Sequence, residues 1–428
     1  MNKEILKLAI PNIITNITIP LLGLVDIALL GHLNSPLYLA AVALGSTIFN
    51  ILYWGMSFIR MSTTGFTSQA YGAKNDKEIA FNLNRSVIIG VIIGILLILM
   101  QQIISNISFS FLDAEPKAKE FARDYFLIRI WAAPASLSLY GFYGWFIGMQ
   151  NSKFPLIIAI SINIINIIIS YILIYHFNFN SNGAAIGTVI AQYFGVIISS
   201  LLIYSKYTKY LKIRYLISSF KKSAFAELFK VNANIFLRTL GIMLVMSFFT
   251  ISSAKKSTLV LDANTVLFQF FIFFSYYIDG FAYATESLSG KYKGSGSSSY
   301  FNELVKKMFL WSFYSSIAFS ITYILLGNNI IKILTSQIEI INYANKFIYW
   351  IWVIPILSFS AFIWDGVFVG ITASKEMRNS MLISALLIFF PCYYIFESSI
   401  GNNALWLALS MFMLGRGIIQ TFLFYRMN

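Results

Sequence analysis

Apolar residues in this chain come in runs of about twenty, separated by short polar pieces. Twenty apolar residues are enough for one helix to cross a bilayer. Twelve such runs can be traced, at about 10–32, 38–70, 86–108, 125–148, 154–175 and 183–204, then 231–253, 260–289, 308–327, 347–370, 380–397 and 404–424. The runs are too continuous for barrel strands, which alternate in polarity over about ten residues. Open sheets cannot span lipid, so the pattern predicts an all-α integral membrane protein of twelve helices.

Composition sharpens this reading. The 428 residues are 58% apolar and 11% charged, against about 25% charged in a soluble domain. The net charge of +14 could suggest nucleic acid. In a membrane chain it is better read as basic loops on the cytoplasmic side, so no nucleic-acid partner is expected. With both termini inside, twenty of the 31 Lys and Arg residues fall in cytoplasmic loops and seven outside. Arg60, Arg129, Arg238 and Arg416 fall inside or at the edges of spans. Both termini are therefore expected in the cytoplasm, with the chain in the inner membrane of the cell. Met1–Lys7 lacks the features of a cleaved leader, so the first helix is expected to be retained. The single cysteine, Cys392, excludes an internal disulfide and a cysteine metal cluster.

The chain repeats itself. Trp131-Ala-Ala-Pro134 returns as Trp352-Val-Ile-Pro355, Gly148–Lys153 as Gly370–Lys375, and Ser68–Tyr71 as Ser289–Tyr292, at offsets of 221 or 222. The longest basic segment, Lys206–Lys230, lies between the sixth and seventh runs. The expected organisation is a six-helix lobe over 1–205, a cytoplasmic linker over 206–230 and a second six-helix lobe over 231–428. An even number of spans per lobe gives parallel repeats related by a pseudo-two-fold axis along the membrane normal. Such a design could work as a monomer.

The first run, Leu8–His32, carries Pro11, Pro20 and Asp26. Proline removes a helical hydrogen bond and invites a kink. A carboxylate at membrane depth costs about 2.5–3.5 kcal/mol on insertion scales, and burial favours its protonated form. Asp26 is therefore a candidate proton-exchanging group on a bending helix, or else a carboxylate held by fixed partners. Asn163, Asn166 and Ser170 share one face of the fifth run, and Thr188 and Gln192 one face of the sixth. They could form a network with Asp26 or serve as glue between helices. In the second half, Asp279 and Glu286 stand seven residues apart beside Tyr276 and Tyr283. Carboxylates among aromatic rings suit an organic cation; a salt bridge to Arg238 or Arg60 is the alternative. Asp365 is a similar candidate.

Other chemistry is poorly supported. His32 and His176 do not make a metal site, and no phosphate-binding glycine loop, nucleophile elbow or HExxH motif occurs. Gly290–Ser299 reads as a flexible linker. No cofactor and no enzymatic activity are expected.

Val25–Leu33, Arg60–Gly65 and Tyr277–Glu286 closely resemble the DinF-type branch of the MATE (multidrug and toxic compound extrusion) transporters, with all twelve spans in order. The resemblance implies two six-helix bundles facing each other around a central cavity. It implies export of amphipathic, often cationic compounds in exchange for protons or sodium. Pro11 and Asp26 match the proline and aspartate of the proton-coupled branch, with partners at Asn166 and Thr188. Ser170 stands where some relatives have a second acid, which leaves Asp26 alone in the first half. Asp365 resembles one acid of the sodium-coupled branch, but the seventh span has no acid. The ion-coupling candidates are thus Asp26, Asn166, Thr188, Ser170, Pro11 and Pro20. The substrate-binding candidates are Asp279, Glu286, Tyr283, Tyr276, Asp365 and Arg60. Lipid-linked oligosaccharide flippases resemble MATE proteins in fold and are the alternative function; they would favour a more basic cavity. A membrane-embedded transferase would need catalytic groups that the loops do not show.

Overall fold

The computed structural model describes the chain except Asn34, Asp113, residues 212–221 and Asn428, together with the side chains of 19–22, Leu24, Asp26 and 222–225. Among the described residues the regular structure is entirely helical. Six helices fill the first half: α1 Asn2–Gly31, α2 Pro36–Gly72, α3 Asp76–Leu99, α4 (Pro116–Arg129 and Ala133–Gly148), α5 Lys153–His176 and α6 Asn180–Lys206. Six more follow: α7 Lys222–Lys256, α8 Thr258–Gly294, α9 Ser298–Leu334, α10 Ile348–Gly370, α11 Ser374–Ile400 and α12 Asn403–Met427. Each expected run falls on one of these, except that the third continues past Leu99 into a separate helix, Gln101–Ser110; Ile338–Asn345 forms a further short helix. The helices extend further than the apolar runs, since polar turns at their ends continue the hydrogen-bond ladder. Thus α3 starts at Asp76, where the Asn75 side chain accepts from the Glu78 amide at 3.2 Å.

The chain divides into two compact units. One holds Ile14–Leu228; the other holds Phe229–Asn428 together with Met1–Ile13. Residues 1–13 join the second unit because Ile5, Leu8 and Ala9 are buried in a cluster with Phe274, Ile278, Phe281 and Leu304. Glu4 adds polar ties there. It accepts from the Lys291 ammonium at 3.1 Å and the Tyr292 hydroxyl at 2.9 Å. Burial pushes the Glu4 carboxyl up, but these donors outweigh it and hold the group below its ordinary value.

The internal repeat is visible in helix packing. In the first unit α2 crosses α4 where an added Cβ on Gly144 would lie 2.9 Å from the Thr63 Cβ, and one on Gly148 would lie 2.6 Å from the Thr67 Cβ. In the second unit α8 crosses α10 in the same way. A Cβ on Gly366 would lie 2.9 Å from the Thr285 Cβ, and one on Gly370 would run into Ser289. Each of these positions recurs at an offset of 222. Lipid supplies no hydrophobic force between helices, so close contact over small residues carries the packing.

The turns repeat as well. α2, α4, α8 and α10 all end on a left-handed residue: Lys74 (φ 53°), Gln150 (φ 61°), Gly296 (φ 67°) and Thr372 (φ 58°). In each case the following amide reaches back to close the helix end, Asn75 to Ala70, Asn151 to Phe146, Ser297 to Tyr292 and Ala373 to Phe368, at 2.8–3.1 Å. The proline echo is less exact. Pro134 follows a 3-10 turn at Ile130–Ala132 that interrupts α4, whereas Pro355 lies inside α10.

Candidate functional site

In the first unit the polar residues of α5 and α6 meet. The Asn166 side-chain amide donates to the Thr188 hydroxyl at 3.1 Å, and Thr188 donates to the Ala184 carbonyl at 3.1 Å. α6 comes this close because Gly187 lies against Ser170; a Cβ there would stand 3.0 Å from the Ser170 amide nitrogen. Asn166, Ser170 and Thr188 are all buried. The Asn166 Oδ1 and the Ser170 Oγ have no hydrogen-bond partner among the described residues. Leaving such groups unpaired costs about 1–3 kcal/mol each, so the site is prepared for a further polar group.

α1 runs beside this column. The Asn163 amide donates to the Thr18 carbonyl at 3.1 Å, and the Tyr175 hydroxyl donates to the Leu29 carbonyl at 2.7 Å. Tyr175 sits in a wide π turn, Ile172–His176, that ends α5; such turns often mark functional sites. Asp26 lies on the stretch of α1 between these two ties, opposite the part of α5 that holds Asn166 and Ser170. The side chains of Asp26 and Pro20 lie outside the described residues. Pro11 is half-buried in the part of α1 that belongs to the other unit. Gln192 is half-buried on α6.

The second unit holds a buried charge cluster. The Asp365 carboxylate on α10 accepts from Arg238 on α7. It also accepts from Arg416 at 3.0 Å and Gln420 at 2.5 Å, both on α12. Asp365, Arg416 and Gln420 are at most 6% exposed. Asp279 on α8 is half-buried and close enough to Arg416 for their charges to attract. Glu286 is buried two turns further along α8, and Tyr276 and Tyr283 are half-buried. Arg60 is half-buried in the first unit, where its carbonyl accepts from the Thr64 hydroxyl at 3.0 Å. Sequence reasoning did not assign Arg416 and Gln420. Their four-residue spacing on an otherwise apolar helix was the available signal.

The family model described as MatE matches the chain twice, over residues 11–172 and 234–395. The chain belongs to the MATE family. The two matches start 223 residues apart, so the repeat seen in the turns and glycine crossings is the family's own unit. A DinF-type relative, the DNA damage-inducible protein F of Escherichia coli (strain K12), is 36% identical over 97% of this chain and 90% of its own length. A probable multidrug resistance protein NorM of Thermotoga maritima is 22% identical, covering 81% of this chain and 75% of its own length. A solved MATE structure, described as the bent conformation, aligns with a TM-score of 0.87 at 20% identity over all of this chain and 95% of that one. This MATE protein is therefore a multi-pass membrane transporter with two six-helix bundles, and not an enzyme.

Proposed function

We propose that this chain is a secondary active exporter of amphipathic, cationic organic compounds, driven by proton entry through alternating access. The observation that carries the reading is the contrast between its two intramembrane sites. On α5 the buried Asn166 Oδ1 and Ser170 Oγ have no partner among the described residues, beside the stretch of α1 that bears Asp26. Asp365, by contrast, already has three donors. The two guanidinium groups and the amide already occupy its oxygens and leave little room for a sodium ion. In this proposal Asp26 gains and loses a proton, with Asn166, Thr188 and Ser170 receiving it in one state and α1 bending at Pro11 or Pro20 in the other. One proton crossing 100 mV supplies about 2.3 kcal/mol. It can shift the two states only by its differential affinity for them.

In this proposal the lobes 1–205 and 231–428 move about the 206–230 linker, with residues 1–13 carried by the second lobe. Asp279, Glu286, Tyr276 and Tyr283 attract the organic cation, and Asp365 sets the charge around it within the second unit. The transporter is a monomer in the inner membrane with both termini cytoplasmic. A flippase for lipid-linked pyrophosphate would draw on the half-buried Arg238 and the buried Arg416, and their bonds to Asp365 leave little charge to offer.

The test is ethidium transport by reconstituted vesicles under an imposed proton gradient without sodium. Wild type is expected to move the dye, and Asp26→Asn is expected to lose this movement while keeping its fold. Undiminished transport by Asp26→Asn overturns the coupling assignment. No ethidium transport by wild type, with or without sodium, overturns the drug-exporter reading.

A further inference from the structure

Two side chains of α5, Asn163 and Tyr175, both donate to main-chain carbonyls of α1, Thr18 at 3.1 Å and Leu29 at 2.7 Å. A bond to a carbonyl holds the path of the backbone whatever the side chains do. The acceptors lie 11 residues apart (18 to 29) and the donors 12 apart (163 to 175), about 17 and 18 Å along their helices. The two ties therefore fasten a matched length of α1 to α5, one at each end of the stretch that bears Asp26.

The fastened length needs such support. α1 is one unbroken helix over Asn2–Gly31, although this length contains Pro20, which lacks an amide hydrogen, and Gly23, a poor helix former. The Leu33 amide, which would reach the Leu29 carbonyl in a longer helix, turns to Leu30 at 3.1 Å instead. The last carbonyls of a helix need a donor from elsewhere, and Tyr175 supplies it for Leu29. On a regular helix Tyr175 would point about 120° away from Asn163, at about 100° per residue. The π turn at Ile172–His176 winds less per residue and swings the tyrosine back toward α1. The wide turn thus aims the second donor.

We propose that Asn163 and Tyr175 are positioning residues that clasp the continuous form of α1 to α5 and set how readily α1 leaves that form. A bend at Pro20 draws Leu29 away from Tyr175 and strands its carbonyl, while the Thr18 tie stays in place. A bend at Pro11 loads both ties. The clasp lies wholly within the first unit. Its link to transport rests on the coupling role proposed for Asp26; the clasp itself rests on the two bonds and the turn that aims them.

Spin-label distances in the full-length transporter, reconstituted in nanodiscs, test this. The labels go on the exposed Ile27 of α1 and Ile197 of α6, as Ile27→Cys and Ile197→Cys in a Cys392→Ser background. Tyr175→Phe keeps the ring and its packing on Tyr171 at 5.0 Å but removes the donor. It is expected to shift the ratio of clasped to displaced α1 about two- to tenfold toward the displaced form, the change that one net hydrogen bond supports. Asn163→Leu is expected to shift it in the same direction, and Tyr171→Phe to leave it unchanged. In ethidium export Tyr175→Phe is expected to change the maximal rate and not the half-saturating concentration. Unaltered distances in both Tyr175→Phe and Asn163→Leu overturn the proposal. So does an equal shift in Tyr171→Phe, or an effect confined to the half-saturating concentration, which would place Tyr175 in dye binding. If wild type moves no ethidium and the distances still shift, the clasp stands and only its link to drug export falls.

Discussion

Removing the Asp365 carboxylate should be among the most damaging single changes in the second bundle. Asp365→Ala leaves Arg238, Arg416 and Gln420 without their common acceptor, and Arg416 and Gln420 are almost fully buried. Breaking a buried ion pair by deleting one partner costs about 3–5 kcal/mol, because the remaining charge is stranded. For a unit of about 200 residues, 1 kcal/mol corresponds to roughly 2–4 °C in Tm. The expected loss is therefore roughly 6–20 °C, read by intrinsic fluorescence during a thermal ramp in detergent. Asp365→Asn keeps an acceptor oxygen and should lose less. Replacing the whole cluster, with Asp365→Leu, Arg238→Met and Arg416→Met together, should recover most of the loss, since no charge is then stranded. A melt of Asp365→Ala within 2 °C of wild type would refute the reasoning; it would mean that water or Asp279 already neutralises the arginines.

Other outcomes follow from the packing and the ties. Gly366→Ala places a methyl 2.6 Å from the Ala282 carbonyl, so it should cost about 1–3 kcal/mol by overpacking, seen as a lower Tm. Thr188→Val removes the acceptor of Asn166 and should cost about 1–3 kcal/mol, with a larger effect on proton-driven transport than on dye binding. Glu4→Gln should melt below wild type at neutral pH. Because the folded Glu4 carboxyl is held below its ordinary value near 4.5, its contribution is present above that value and fades as pH falls through the folded one. The gap between the two melting curves should therefore narrow in acid, and a gap that is constant down to pH 3 would argue against the tie.

Much of the fold was legible because membrane spans are written in continuous apolar runs, and the duplication was legible in short motifs such as Gly148–Lys153 and Gly370–Lys375. The structure gives those motifs a cause. The glycines are the points where α2 meets α4 and α8 meets α10, and the residues just after them form the helix-ending turns. The turns themselves were hidden, since Lys74, Gln150 and Thr372 are not residues that announce a left-handed backbone. Their conformation is imposed by the helices on either side. Of the candidate site, the polar faces that hold Asn166 and Thr188 were readable from helical spacing, but the direct bond between them was not. Of the Asp365 cluster, Asp365 itself and the four-residue spacing of Arg416 and Gln420 were visible, but their pairing was not. Its members lie on α7, α10 and α12, and pairing across three helices depends on packing that no local pattern records. The π turn Ile172–His176 left no signal in its apolar run, whereas Ser384–Phe389 lies just before Pro391, which removes a helical donor.

The placement of residues 1–13 in the second unit has a consequence for how the molecule is built. Ile13 packs against Gly280, 267 residues later. At about 5–20 residues per second, the start of α1 waits roughly 15–50 s after its synthesis before its partner exists. During that interval its buried face, Ile5, Leu8 and Ala9, must be kept by lipid or by the insertion machinery. Residues 14–228 hold their own unit's contacts and are complete first. The second bundle cannot finish until it recaptures the oldest segment of the chain. Assembly thus closes as a loop, and cutting the gene in the linker would give a second half that lacks part of its own core.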